Sequence, residues 1–350
     1  MMSEKGIKSG RVPLTMAAEW AAQSCVQLTW PHEGTDWAPM LPDITRTYVD
    51  IAVAIARRER LVIVSPHPRT ALDAICASGG GALLRRIDTV MCDTDDTWAR
   101  DHGMITLMDG NGRRVLLDFC FNGWGEKYPA DKDNAISARL YASGLLKGDY
   151  EDHLDFVLEG GSIETDGKGT VFTTTACLTA PHRNIPADKQ HIEEQLKRRL
   201  RVERVVWIDH GSLAGDDTDG HIDTLMRVAP DDTLLYVSPR GADCRQQTGL
   251  EEMERQITAL RTTDGKPYRL LPLPLPRPID DGDQCLPATY ANYLVVNGAV
   301  LCPTYGQPDR DAEAMRVIAQ AFPDRETVGI DCRNVIRQHG SLHCCTMQYY

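Results

Sequence analysis

Residues Gly215 to Asp223 read Gly-Asp-Asp-Thr-Asp-Gly-His-Ile-Asp, four carboxylates and one imidazole in nine positions. At neutral pH such a cluster repels itself unless water or a cation compensates it. Two cations are worth weighing, a metal ion and an organic cation. The metal pattern is poorly met. His221-x-Asp223 could supply two ligands, but no second histidine stands at i+4 spacing. An EF-hand loop is excluded because Gly220 follows Asp219 directly, which breaks the required spacing. A guanidinium group fits the residue types better. It is planar, permanently charged and carries five donors in a fixed fork. Holding it in a dry pocket takes carboxylates on both sides of its plane. Asp223 is one candidate. Asp101, in Asp96-Thr97-Trp98-Ala99-Arg100-Asp101, is a second, and Glu159, in Leu158-Glu159-Gly160-Gly161-Ser162, is a third. Trp98 could cover the face of the cation. Each residue alone also has an ordinary structural reading: Asp101 paired with Arg100, Glu159 capping a turn, Trp98 in the core.

Cutting a guanidinium C–N bond is difficult because resonance lowers the electrophilicity of its carbon. A thiolate can attack that carbon and form a covalent intermediate. His343-Cys344-Cys345 supplies adjacent thiols in an apolar, strand-like stretch, and a thiol near His221 and a bound cation would ionise more easily. Strand alternation lets only one of the two cysteines face a site.

The elements that must position these residues repeat. Trp98, Glu159, His221, Asn292 and His343 lie roughly 50 to 70 residues apart, a spacing that suggests repeated supersecondary units. The first four are followed by strand pairs with turns at Asp109–Gly112, Asp166–Gly169, Pro230–Asp232 and Asn297-Gly298. The fifth is cut short by the end of the sequence. Helical periodicity covers 43–57, 133–146, 187–200, 250–260 and 311–322, with Leu61–Val64 as a strand. Pro-rich Leu271 to Pro278 reads as an extended connector. Five such units predict an α/β chain folded as one domain over residues 1–350, a closed, propeller-like arrangement with the polar stretches converging on an axis.

Composition bounds the function. A net charge of −12 argues against a nucleic-acid backbone as partner and suits a small cationic substrate. No run of apolar residues is long enough for a membrane helix, and the first ten residues lack a signal-peptide core, so a cytoplasmic location is expected. Eleven cysteines, odd in number and without C-x-x-C, argue against a disulfide framework or a structural zinc site.

Taken together, these segments resemble the agmatine deiminase and bacterial-type peptidylarginine deiminase family, within the guanidino-group-modifying (pentein) superfamily. The resemblance rests on Ala18–Ala21, Thr29–Trp37, Asp96–Gly103, Asp118–Gly125, Leu158–Ile163, Asp217–Asp223, Asn297-Gly298, Pro303–Gly306 and His343-Cys344. It implies a five-bladed α/β propeller. It implies that Asp101 and Asp223 grip the guanidinium with Glu159 as a third carboxylate, that Trp98 lines the pocket, that His221 is the general acid and base, and that Cys344 is the nucleophile. No metal or organic cofactor is implied, and a homodimer is usual. The expected reaction is agmatine plus water to N-carbamoylputrescine and ammonia. Deimination of peptidyl or free arginine is the alternative, ahead of amidino transfer, a metal-dependent hydrolase or a guanidine-binding module. The chain departs from the family pattern at His339-Gly340-Ser341, at Glu164 and in Met347 to Tyr350. These departures leave the catalytic set intact and are expected to bear on the distal end of the substrate.

Overall fold

The computed structural model describes residues 13–242 and 244–350. It is an α/β structure with five sheets of three or four strands and one two-stranded ribbon, Asp280–Asp281 with Gln284–Cys285. One pairing pattern recurs in all five sheets. An antiparallel pair comes first, and a strand added in parallel follows. Ile105–Met108 pairs antiparallel with Arg114–Cys120, which pairs in parallel with Asp149–Val157. Ile163–Thr165, Thr170–Thr174 and Arg204–Ile208 repeat this, as do Met226–Ala229, Thr233–Val237 and Arg269–Leu273. Leu294–Val296, Ala299–Thr304 and Glu326–Asp331 form the fourth set.

The fifth set is made from both halves of the chain. Thr346–Tyr349 pairs antiparallel with Cys25–Thr29, which continues in parallel to Arg60–Ser65 and Ile87–Met91. The segment that reads as truncated in sequence therefore finds its partner strand at the other end.

The turns form where Gly and Asp chemistry places them. Asp109 Oδ1 accepts from the amides of Asn111 and Arg113, at 2.8 and 2.9 Å. Asp166 Oδ1 accepts from Lys168 and Thr170, at 2.7 and 2.9 Å. Asp231 and Asp232 both take positive φ, 57° and 51°, a conformation that suits the twist of a tight hairpin. The helices follow the apolar periodicity. Lys189–Leu200 starts on an Asp188 cap and buries Ile192, Leu196 and Leu200 in one cluster with Val171, Leu178 and Val205. Leu41–Ala56, Cys244–Ala259 and Pro308–Ala321 extend the predicted helices by a few residues at their starts. The Pro-rich connector is in part a strand. Pro272 is tolerated inside Arg269–Leu273 because that strand lies at a sheet edge.

Candidate active site

In each of the five sheets, a short non-strand segment runs directly into the first strand of the antiparallel pair. Those five segments carry Asp101, Glu159, Asp223, Asn292 and Cys344. Asp101 sits on the single helical turn Ala99–His102, Glu159 precedes Gly160–Ser162, and Asp223 lies in Ile222–Thr224. Cys344 and Cys345 sit in a turn at 342–345, not in a strand as the apolar pattern suggests; the strand starts at Thr346. The Thr346 amide closes that turn on the His343 carbonyl at 3.0 Å.

The turn separates the two thiols. Cys344 lines a pocket shared with Asp36, Asp96, Trp98, Asp101, Trp124 and Asp217. Cys345 is fully buried, with Sγ 3.3 Å from the Ser341 carbonyl. Asn292, which the sequence marks only as a repeat anchor, holds the nucleophile turn. Its Oδ1 accepts from the His343 and Cys344 amides at 2.9 and 3.3 Å, and lies 3.4 Å from Cys344 Sγ. Its Nδ2 donates to Asp223 Oδ2 at 3.1 Å.

Asp223 is fully buried and receives a second bond at Oδ2, from His343 Nδ1 at 2.7 Å, while Oδ1 has no partner. Burial pushes its pKa up, but the bond and charge of His343 outweigh this and hold it below the usual carboxylate value. Asp101 accepts from Trp124 Nε1 at Oδ2 and from the Gly161 amide at Oδ1, both at 3.0 Å. Burial raises its pKa to about 6, with His221 pulling it down and Asp223 and Glu159 pushing it up. The two carboxylates face one small space. A Cβ on Gly161 would stand 2.6 Å from His221 Nδ1, 2.8 Å from Asp101 Oδ1 and 3.3 Å from Asp223 Oδ2. The glycine is there because three polar groups already fill the volume a side chain would need.

His221 is buried, with Nδ1 3.7 Å from Asp101 Oδ1. Burial alone would strip its proton, but Asp101, Cys177 and Glu159 together hold its pKa well above the ordinary value. The preceding acidic residues build its loop. Asp216 accepts from Thr218 Oγ1 at 2.6 Å and from the Gly220 amide at 2.7 Å, and Thr218 Oγ1 in turn accepts from the His221 amide at 3.1 Å.

Glu159, His221 and Asp223 are not on the pocket wall, and a Glu159 carboxylate oxygen lies within 4.8 Å of a His221 ring nitrogen. Its Oε1 accepts from Arg183 Nε at 2.8 Å, and Arg183 also donates to Asp219 at 2.6 Å and to the Thr218 carbonyl at 2.9 Å. Sequence patterning gives no signal for Arg183 or for Cys177, which neighbours His221.

Trp98 forms a pocket wall, its indole Nε1 donating to Asp96 Oδ2 at 3.0 Å. It lies so close to Gly340 that a Cβ there would be 2.1 Å from its ring. His339-Gly340 therefore does shape the pocket. Glu164 and Met347 do not; they line a separate cavity with Glu19, Arg100 and His343. Glu164 pairs there with Arg227 at 2.5 Å.

Cys344 is 5% exposed, and its thiol pKa is raised well above the ordinary value by burial, then by Asp223 and Asp101. Burial and the two carboxylates thus favour the neutral thiol at Cys344, and the neighbours of His221 favour its protonated form.

Known proteins share this architecture. Residues 15–349 match the model of the Porphyromonas-type peptidyl-arginine deiminases. An agmatine deiminase of Stutzerimonas stutzeri is 31% identical, covering 95% of this chain and 94% of its own length. A candidate arginine deiminase from Porphyromonas gingivalis is 48% identical, with a TM-score of 0.89 over 96% of this chain and 98% of that one. A cysteine-to-serine variant of the C. jejuni agmatine deiminase, with substrate bound, is 31% identical, with a TM-score of 0.87 over 97% and 96% of the two chains.

Proposed function

The chain belongs to the Porphyromonas-type peptidyl-arginine deiminase family, and from that premise we propose that it hydrolyses the guanidino group of agmatine to N-carbamoylputrescine and ammonia. The observation that carries this reading is a buried thiol flanked by two buried carboxylates at the base of an acidic, aromatic-walled pocket.

Asp101, on the pocket wall, and Asp223, 3.9 Å from Cys344 Sγ, bracket the guanidinium, and Trp98 and Trp124 stand on the wall around it. Its positive charge offsets the repulsion that keeps Cys344 protonated, so the thiol ionises when substrate arrives and its proton leaves to solvent. The thiolate attacks the central carbon. His221, already an imidazolium, gives a proton to the departing ammonia. The thiouronium adduct is then hydrolysed by water that His221 deprotonates. Glu159 serves this step from behind, as one of the anions that keep His221 charged. Asn292 keeps the thiol and Asp223 in register.

The distal end favours an amine. Asp36, Asp96 and Asp217 line the pocket, with Tyr128 donating to Asp217 at 3.1 Å, and no described Lys or Arg stands on its wall. An ammonium is complementary to that wall, whereas the carboxylate of free arginine is not. Arginine remains the second reading because of the 48% identity to a candidate arginine deiminase. Ammonia release from a guanidine panel decides between them. Agmatine should exceed free arginine in kcat/KM by about 100-fold, since each unpaired like-charge contact costs on the order of 1–3 kcal/mol. Equal or greater turnover of arginine would reverse the assignment.

The shared strand pattern of the five sheets, and the joining of the two chain ends in one of them, support a five-bladed α/β propeller folded as a single domain. The five site segments would then meet near its axis. No described helix is long and apolar enough to cross a membrane, which agrees with a cytoplasmic enzyme.

A further inference from the structure

We propose that Cys177, His221 and Glu159 form a buried site for a thiophilic divalent cation, zinc above all, immediately behind the catalytic pocket. One ligand atom from each residue lies within 4.8 Å of those of the other two. Thiolate, imidazole and carboxylate are the three side-chain ligand types zinc uses, and a modest closure brings such a triad to bonding distance with a fourth position open.

The three side chains are at most 1% exposed. Among the described residues, Glu159 Oε2 and both His221 ring nitrogens have no oxygen or nitrogen partner within hydrogen-bond reach, and the thiol of Cys177 is a polar neighbour of the imidazole. Turning to an ion costs these atoms no hydrogen bond to oxygen or nitrogen, although His221 gives up its 3.7 Å ion pair with Asp101. Their backbones are well fixed. Cys177 is held by the Thr174 cap of the turn Thr175–Leu178 at 3.2 Å, and Thr174 Oγ1 also donates to the Gly220 carbonyl, beside His221, at 2.6 Å. Arg183 occupies only Glu159 Oε1, and Asp219 answers its charge.

Loading the site transfers no electron: zinc enters, the Cys177 thiol proton leaves to solvent, and His221 binds through a neutral ring nitrogen. Asp101 and Thr218, which both contact His221, stand on the wall of the substrate pocket and set the zinc site next to it. If His221 moves the protons of the reaction as proposed above, zinc here inhibits without touching Cys344.

Binding can be measured without turnover, so the outcome is independent of the substrate assignment. Full-length C344A, stripped with chelator and dialysed against zinc, should retain about one zinc per chain. Cobalt should give a thiolate-to-metal charge-transfer band. The variants C344A/C177S and C344A/E159Q, checked for native circular dichroism and melting, should bind zinc roughly 100-fold more weakly, and the first should lose the band. The unmutated protein should release at least one proton per zinc, that of the Cys177 thiol, in weakly buffered solution at neutral pH. Zinc binding abolished by C344A alone, or unchanged by C177S, would overturn the site. So would zinc uptake by the unmutated protein without proton release.

Discussion

At the scale of single residues, two adjacent cysteines have opposite fates. Cys344 faces the pocket and Cys345 the core, because the turn at 342–345 points them apart. Cys344→Ala should abolish ammonia release, whereas Cys345→Ala should keep the reaction and lose about 1–2 kcal/mol of stability, read by chemical denaturation. Asp101 sets the acid limb of the reaction. Its pKa is raised to about 6 by burial, with His221 pulling down and Asp223 and Glu159 pushing up. The grip on a guanidinium needs the ionised form, so kcat/KM should rise as pH passes about 6. The same shift has a stability consequence. A carboxyl whose folded pKa is raised contributes stability below its unfolded value, and loses it as pH rises through the folded one. The empty protein therefore gives up stability between roughly pH 4 and 6 through Asp101. A guanidine ligand should raise its melting temperature more at pH 7.5 than at pH 5. Equal stabilisation at both would argue that Asp101 does not contact the ligand.

At the scale of elements, Gly161 is the tightest point. Its backbone passes beside His221 Nδ1, Asp101 Oδ1 and Asp223 Oδ2, and its amide donates to Asp101. Gly161→Ala should cut kcat/KM by about 100-fold or more, since displacements of an ångström at reacting groups cost that much. Melting should change far less than activity; a variant with full activity would show that the three groups do not share the space inferred for them. The glycine pair is visible in the sequence as a place where backbone approaches something closely, and Asp101, Asp223, His221 and Trp98 are visible as candidates. Asn292 is visible only as a repeat anchor, because an asparagine that binds a distant turn leaves no periodic trace. Arg183 and Cys177 are not legible at all. Their contacts to Glu159 and His221 depend on how one sheet's loop folds over another. The outer parallel strands Asp149–Val157 and Glu326–Asp331 escape sequence reading for a related reason. They lie at sheet edges and carry polar, half-exposed residues that do not read as strands.

At the scale of the whole molecule, the two ends of the chain depend on one another. Thr346–Tyr349 is fully buried against Cys25–Thr29, Tyr349 Oη donates to Gln27 Oε1 at 2.7 Å, and Gln348 Nε2 donates to Glu19 at 2.8 Å. The strand that follows Cys344 is thus clamped by the N-terminal sheet, so the nucleophile's position relies on that pairing. Removing residues 347–350 should lower the melting temperature steeply and abolish activity together; a stable, active truncation would contradict that dependence. The net charge of −12 acts at the same scale by drawing in cationic substrates, and it predicts a kcat/KM for agmatine that falls as ionic strength rises. The central claim is that the Cys344 thiolate bonds to the guanidinium carbon. Rapid acid quench of the enzyme during turnover of agmatine, followed by intact-mass and peptide mass measurement, tests it most directly. The expected result is an adduct on the Cys344 peptide with the mass of agmatine less one ammonia, absent from C344A. Turnover with no adduct, or an adduct on Cys345 or Cys177, would contradict it.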